Sequence, residues 1–374
     1  MIELTAGKDD SGRRLDRILR KALPDLSLSL IHRLLRQKKI LVDNKPASPN
    51  NRIEQGMIIK IYAPATHTSN QVNSIFVNQK NNEVNKKNQR LQIPDSNPQS
   101  PIPVPCSLFP VPILWQGSGI IVFNKPQGLS THGPNSLDTI VNKWLAEGGM
   151  GPLPRSLSFR PGPLHRLDKP TSGAIAFSQT LEGAKLFCSL LRERKIEKTY
   201  IAIIEGSIEK DKGTGNREQG TGYSENIWRD TLEHNKDMRK TFIKTEPRTP
   251  NSEPRVPVPC PQSPVSSHKE AVTSVKTLAS NGEFSLIEAR IKTGRHHQIR
   301  AQAAAHGHPL AGDIKYGGKL LPGQTRGGGF FLHAWKIKFI ECLDGLPREI
   351  IAPLPEAFRT RIEELFGKRG LKLS

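Results

Sequence analysis

The run His165-Arg166-Leu167-Asp168-Lys169-Pro170-Thr171-Ser172-Gly173 sets one carboxylate among three basic side chains. Its last four residues favour a turn, and the apolar stretch 174–177 that follows reads as a strand. A carboxylate fixed on rigid backbone beside cations stays ionised and is aimed. Taken alone, the same aspartate reads more simply as a turn residue bonded to its own backbone.

Other chemistries find less support. Cys106, Cys188, Cys260 and Cys342 are scattered, with no close pair of the kind from which a zinc site is built. His296, His297, His306 and His308 lie near one another, but their spacing and the lack of an adjacent Asp or Glu speak against a metal set. No Gly-rich phosphate loop follows a strand pattern, so no nucleotide cofactor is expected. A hydrolase built on an aspartate and a histidine lacks a nucleophile elbow. The expectation is chemistry by side chains alone, with no metal and no cofactor.

The elements that must position Asp168 are mostly strands, at 119–124, 174–178, 200–205, 284–291 and 332–340. Helical spacing of Ala184, Phe187, Leu190 and Leu191 predicts a helix over 181–193, and QIRAQAAAH predicts another over 298–306. Strands outnumber helices and do not alternate regularly with them. The predicted class is therefore α+β with a mixed, mainly antiparallel sheet, over residues 113–366.

Ahead of it, residues 1–65 read as a small α+β unit. Leu15, Ile18, Leu19, Ala22 and Leu23 mark one helix, closed by Pro24. A second helix starts near Ser29 and turns Ile31, Leu34 and Leu35 inward, leaving Arg33 and Arg36 outside, with Lys38 and Lys39 extending the basic edge. Such an edge is either a solvated helix face or a grip on phosphates. Residues 66–112 are rich in Asn, Gln, Ser and Pro and read as a disordered linker. Stretches 210–222 and 246–268 read as inserted loops and 367–374 as a tail; the recurring VPVPC and PIPVPC are low complexity, not a structural repeat.

The 55 Lys and Arg against 35 Asp and Glu give a formal charge of +20, which points to a polyanionic partner, nucleic acid first and a membrane surface second. No segment has the roughly 20 apolar residues that span a bilayer, and the first residues lack the apolar core of a signal peptide. A cytoplasmic monomer is the expectation.

Two resemblances sharpen these readings. LDRIL, SLIHRLLRQKKILVDNK and GMIIKIY, within 12–62, resemble the small RNA-binding domain first named in ribosomal protein S-four. Four ordered segments resemble the RluA, or HRLD-motif, pseudouridine synthases of large-subunit ribosomal RNA: IIVFNKPQGLSTHG, HRLDKPTSGAIAFSQT, KTYIAIIEG, and KTGRHHQIRAQAAAHGHPLAGDIKYG followed by FLHAWKIKF. WRDTLEHNKDMRK is a shorter echo. The resemblance implies the pseudouridine synthase fold and the isomerisation of uridine in RNA to its carbon-linked isomer, without cofactor or metal.

By the same resemblance Asp168 is the catalytic aspartate, by attack on the anomeric carbon or by loss of a ribose proton. Arg295 is the arginine paired with it, and Tyr200 lies against the target base, although a strand-borne tyrosine is by itself more often core. Arg166 fills the gap left by a flipped nucleotide; a surface ion pair is the plainer reading. Lys125, where a strand meets a turn, lines the active-site floor as a substrate contact; Lys292, Arg300, Lys315, Lys336 and Lys338 read either as a positive cleft for the phosphate backbone or as solvated surface charges, and the S-four resemblance makes Arg33, Arg36, Lys38 and Lys39 a grip on RNA. The competing expectations are a non-catalytic RNA-binding or ribosome-assembly protein on the same fold, and a synthase acting on transfer RNA.

Overall fold

In a computed structural model the described residues are 1–23, 26–62, 111–146, 156–208, 225–235, 238, 240–243, 269–325 and 327–367. Nearly all of the expected linker, both expected insertions, Pro24 and all but the first residue of the expected tail lie outside them. The chain forms two compact units: Met1–Ser107, Asn142–Gly162 and Ser178–Lys185 make the first; Leu108–Val141, Pro163–Phe177 and Leu186–Ser374 make the second.

In the first unit, β1 (Ile2–Thr5), β2 (Arg13–Arg14), α1 (Leu15–Ala22), α2 (Leu28–Arg36), β3 (Ile40–Val42), β4 (Lys45–Pro46), β5 (Arg52–Ile53) and β6 (Ile58–Ile61) follow in order. The sheet runs β1-β6-β3-β4, and β2 pairs with β5. The apolar spacing buries Leu15, Ile18, Leu19, Ile31, Leu34 and Leu35 in one core. Helix α2 begins at Leu28, next to the expected start near Ser29, and Ser27 caps it, its Oγ accepting the Leu30 N–H at 3.2 Å. Arg33, Arg36, Lys38 and Lys39 are exposed on the far side.

This unit reaches beyond the 1–65 boundary read from sequence, and a buried carboxylate explains why. Asp10 is fully buried, with Oδ2 accepting the Gly7 and Leu157 N–H groups and Oδ1 accepting the Ser158 N–H, each at 2.8 Å. The hydroxyls of Ser156 and Ser158 add 3.1 Å and 2.5 Å bonds. No pattern in the sequence announces a clasp across 148 positions.

The second unit is built on one large sheet. Its strands are β7 (Ile113–Gly117), β8 (Ile120–Lys125), β9 (Gly162–Pro163), β10 (Ser172–Ser178), β11 (Ile196–Glu205), β12 (Glu225–Asn235), β13 (Lys240–Ile243), β14 (Lys269–Ser280), β15 (Phe284–Ile291), β16 (Leu332–Phe339) and β17 (Glu349–Ile351). They order as β13-β12-β14-β15-β11-β16-β10-β8-β7, with β17 beside β16 and β9 beside β10. The β10–β16 pair is parallel, while β11 is antiparallel to both β15 and β16. This is the mixed, mainly antiparallel α+β sheet expected.

The helices are α3 (Leu137–Ala146), α4 (Leu181–Arg192), α5 (Gln298–Ala305) and α6 (Glu356–Phe366). Phe187 and Leu190 of α4 join a core with Ile120, Val122, Ala174 and Ile337, whereas Phe358 and Ile362 of α6 join another with Ile201, Ile203 and Trp335. Strands β7, β9, β12, β13, β14 and β17 and helices α3 and α6 were not among the predicted elements. Among the described residues no helix is long and apolar enough to cross a membrane.

Candidate active site

Asp168 sits in the turn that enters β10, and backbone contacts rather than side chains set its place. The Thr171 N–H bonds the Asp168 carbonyl at 3.0 Å, closing the turn. Thr131 brackets the preceding residue, its hydroxyl donating to the Leu167 carbonyl at 2.8 Å and accepting the Leu167 N–H at 3.3 Å. Gly173 has φ +111°, and a Cβ there would collide with the Ala334 backbone on β16. Only glycine permits that approach of the two parallel strands.

Behind the turn, Ser172 donates its hydroxyl proton to Nδ1 of His333 at 2.9 Å, and His333 Nε2 donates to the Ala352 carbonyl at 3.1 Å. Burial pushes the His333 pKa down to about 4, so it serves as a neutral strut. His165 is neutral too, its pKa driven to about 3 by burial and by the charge of Lys198. Its Nε2 accepts the Ala176 N–H at 3.0 Å and its ring stacks on Phe187, so it braces the turn against β10.

The carboxylate itself meets Arg300, whose Nη1 donates to Asp168 Oδ2 at 3.0 Å. The same guanidinium grips Asp313 in a two-pronged pair, Nε to Oδ2 at 2.7 Å and Nη2 to Oδ1 at 2.8 Å. Its carbon lies 4.3 Å from the Phe330 ring centre and 4.8 Å from that of Tyr316. Burial opposes its charge, yet the hydrogen bonds and charges of Asp313 and Asp168 prevail and raise the Arg300 pKa. Asp313 thus fixes the arginine, and the arginine leaves Oδ1 of Asp168 without a hydrogen bond from any described residue.

His297 approaches from the other side, with Nε2 3.6 Å from Asp168 Oδ2. Its Nδ1 lies 2.8 Å from the Tyr316 hydroxyl, which itself accepts the Thr241 N–H at 2.8 Å; the phenol therefore donates to Nδ1, and the imidazole proton belongs on Nε2, toward the carboxylate. Burial, and then Arg300, push the His297 pKa down to about 2, so the ring is neutral. It is held at φ +52°, a left-handed conformation that costs a non-glycine residue about 1–2 kcal/mol.

Asp168 faces a small cavity of about 60 Å³, room for a water or two, shared with Arg166, Tyr200, Arg295 and His297. A cleft of about 710 Å³ adjoins it, and Arg166, Tyr200, Ile291 and Arg295 line both. Of these shared residues Arg166 and Arg295 are exposed. Tyr200 is buried, and burial together with the charge of Asp168 raises its pKa, so it presents a neutral phenol.

The sequence matches the RNA pseudouridylate synthase family over residues 119–305 and the S4 domain over residues 13–59. The chain belongs to the RNA pseudouridylate synthase family. It is 29% identical to the ribosomal large subunit pseudouridine synthase D of Neisseria meningitidis, covering 100% of this chain and 84% of that one. It is 25% identical to the ribosomal large subunit pseudouridine synthase C of Escherichia coli, covering 99% and 97%. To the uncharacterized RNA pseudouridine synthase YhcT of Bacillus subtilis it is 30% identical, covering 68% and 72%. The structure of human RNA pseudouridylate synthase domain containing 4 shares the fold, with a TM-score of 0.52 and 24% identity over 68% of this chain and 92% of that one. The chain is thus an isomerase of uridine in RNA with an S4 domain.

Against this family frame several expected roles change. Arg295 does not pair with Asp168: its Nε donates to the Glu270 carbonyl at 3.2 Å and it lies exposed at the mouth, because it precedes α5 while Arg300 rides inside that helix facing Asp168. Arg300 is therefore no phosphate contact either, being buried and spent on two carboxylates. Lys125 is fully buried, and its Nζ donates to the carbonyls of Leu129 at 2.7 Å, Pro126 at 3.1 Å and Lys169 at 3.3 Å. It ties the 125–129 loop to the aspartate's turn, which is support and not substrate binding. Lys336 is committed to Glu349 at 3.1 Å, whereas Lys292 does line the cleft.

Asp313, Tyr316, His297, Thr131 and His333 were assigned no role from sequence. One signal was present: an arginine within the apolar helix stretch QIRAQAAAH must be paired if it is buried. The fold also supplies the carboxylate missing beside His296 and His297, since ligating atoms of Asp168, His296 and His297 lie within 4.8 Å of one another. A divalent cation there would compete with Arg300 for the same oxygen.

Proposed function

We propose that this synthase isomerises uridines of large-subunit ribosomal RNA, with Asp168 as its catalytic aspartate. The observation that carries the reading is the asymmetry of that carboxylate, which lines the cavity: Oδ2 is held by Arg300, itself locked by Asp313, and Oδ1 takes no hydrogen bond from any described residue. Attack on the anomeric carbon and removal of a ribose proton both use such an oxygen. In either case the base leaves, turns, rejoins through its carbon five and loses the proton carried there. Tyr200, a neutral phenol, serves the base by contact and by donation rather than as the group that removes this proton.

The basic face of α2 supports a second element of the reading. Arg33, Arg36, Lys38 and Lys39 are exposed together and contact RNA phosphates, adding affinity that falls with salt. The names of the full-length relatives favour ribosomal over transfer RNA, and the expected setting is the cytoplasm.

The test is release of tritium from carbon five of labelled uridine, with transcribed large-subunit RNA and transfer RNA supplied separately. Wild-type protein is expected to release it from the ribosomal transcript, and Asp168→Asn to fall by more than about a thousand-fold. Equal release by both proteins removes Asp168 from the chemistry; release only from transfer RNA overturns the substrate.

A further inference from the structure

The cleft beside Tyr200 is lined by six cations, Arg166, Arg192, Arg194, Lys198, Lys292 and Arg295, and by no carboxylate. Five of them are exposed and solvated; Lys198 is not. Alternation along β11 turns Ile196, Lys198 and Tyr200 into the same cleft. The Lys198 Nζ lies 3.4 Å from where a Cβ on Gly294 would stand, against the backbone of the opposite wall.

The buried lysines differ in how their charge is met. Lys125 spends its donors on three carbonyls. Lys198 makes no hydrogen bond or ion pair with any described residue. Burial pushes its pKa down to about 8, and the groups that face it, His165, Arg166, Arg192, Arg194, Lys292, Arg295 and His296, include no acid to restore it. A half-buried ammonium without a partner is costly, and an anion entering the cleft removes that cost.

We propose that Lys198 is a phosphate-binding residue, taking a phosphodiester of the RNA strand beside the uridine that meets Tyr200. Two positions along a strand separate Lys198 from Tyr200 by about 7 Å, so the phosphate belongs to the target nucleotide or its immediate neighbour. The inference rests on the reading of Tyr200 as the residue against the target base. It assigns to Lys198 the desolvated, position-fixing contact, and to the exposed rim general attraction of the strand.

The test compares wild type, Lys198→Gln and Lys198→Arg on transcribed large-subunit RNA. Lys198→Gln is expected to raise KM about ten-fold with kcat unchanged, and to lower the slope of log affinity against log salt by about 0.7 to 0.9. Lys198→Arg keeps the charge at every accessible pH, so it is expected to restore both values and to abolish the loss of affinity expected of wild type as pH rises through about 8. An unchanged salt slope in Lys198→Gln overturns the proposal, as does a fall in kcat alone shared by both variants, which marks a structural role. If wild type releases no tritium, the isomerase reading fails by itself, and the salt slope still decides the role of Lys198.

Discussion

Two aspartates, one in each unit, show how the same side chain is saturated or left with an oxygen to spare. Asp10 is fully buried and saturated by five donors, three of them backbone N–H groups. Asp168 keeps a quarter of its side chain exposed and takes one charge-assisted bond, on one oxygen. The unit around Asp10 uses a carboxylate to hold distant loops together. The unit around Asp168 uses distant residues to hold a carboxylate still without consuming it, and that difference separates a saturated clasp from a carboxylate with an oxygen to spare.

The contrast breaks most visibly at Arg300. Arg300→Met leaves Asp313, almost wholly buried, without its partner and frees Asp168 to turn. Isomerisation is expected to fall at least about a hundred-fold and stability by about 3–5 kcal/mol. Adding Asp313→Asn to that variant is expected to recover stability but not activity, read by urea unfolding and tritium release. Recovery of both would mean that Arg300 supports the fold only.

The matching change at Asp10 is expected to move one quantity alone. Asp10→Asn turns an acceptor-only group into one whose amide opposes N–H and O–H donors, costing about 2–3 kcal/mol. Turnover at saturating RNA below the new unfolding midpoint is expected to stay within about two-fold of wild type. A loss of turnover without loss of stability would erase the distinction between the two carboxylates.

The smallest effect sharpens the comparison through pH. His165, His297 and His333, all in the second unit, have native pKa values of about 3, 2 and 4, well below the ordinary 6.5. As pH falls below about 6.5 the unfolded chain takes up protons that the native one refuses. Stability is therefore expected to hold above that value and to drop beneath it, by up to about 1.4 kcal/mol per pH unit per histidine. Hydrogen exchange at pH 7.5 and 5 is expected to place this loss in the second unit.

The main strands, the helices of residues 15–36 and the helix at 298–305 were legible because each rests on contiguous residues: a short apolar run or helical apolar spacing. Arg300 was not, since its pairing spans 132 positions and depends on which face of α5 meets the aspartate's turn. Lys125 reads from sequence as part of the active-site floor and a substrate contact; burial and three carbonyls make it a strut. The reach of the first unit into 156–158 was equally hidden, because hydrogen bonds to one buried carboxylate leave no periodic trace.

The parallel seam of β10 and β16 has a consequence in time. Ser172 meets His333, and Gly173 meets Ala334, only across 161 positions of chain, and Asp168 receives its arginine from 132 positions further on. During synthesis from the N-terminus the S4 helices can form early, since their contacts are local. The aspartate's turn has no wall to rest on until the segment carrying residues 332–334 emerges and docks. A growing chain therefore acquires its attraction for RNA well before it acquires its chemistry, and the first uridine it can change must wait until residues 332–334 have docked.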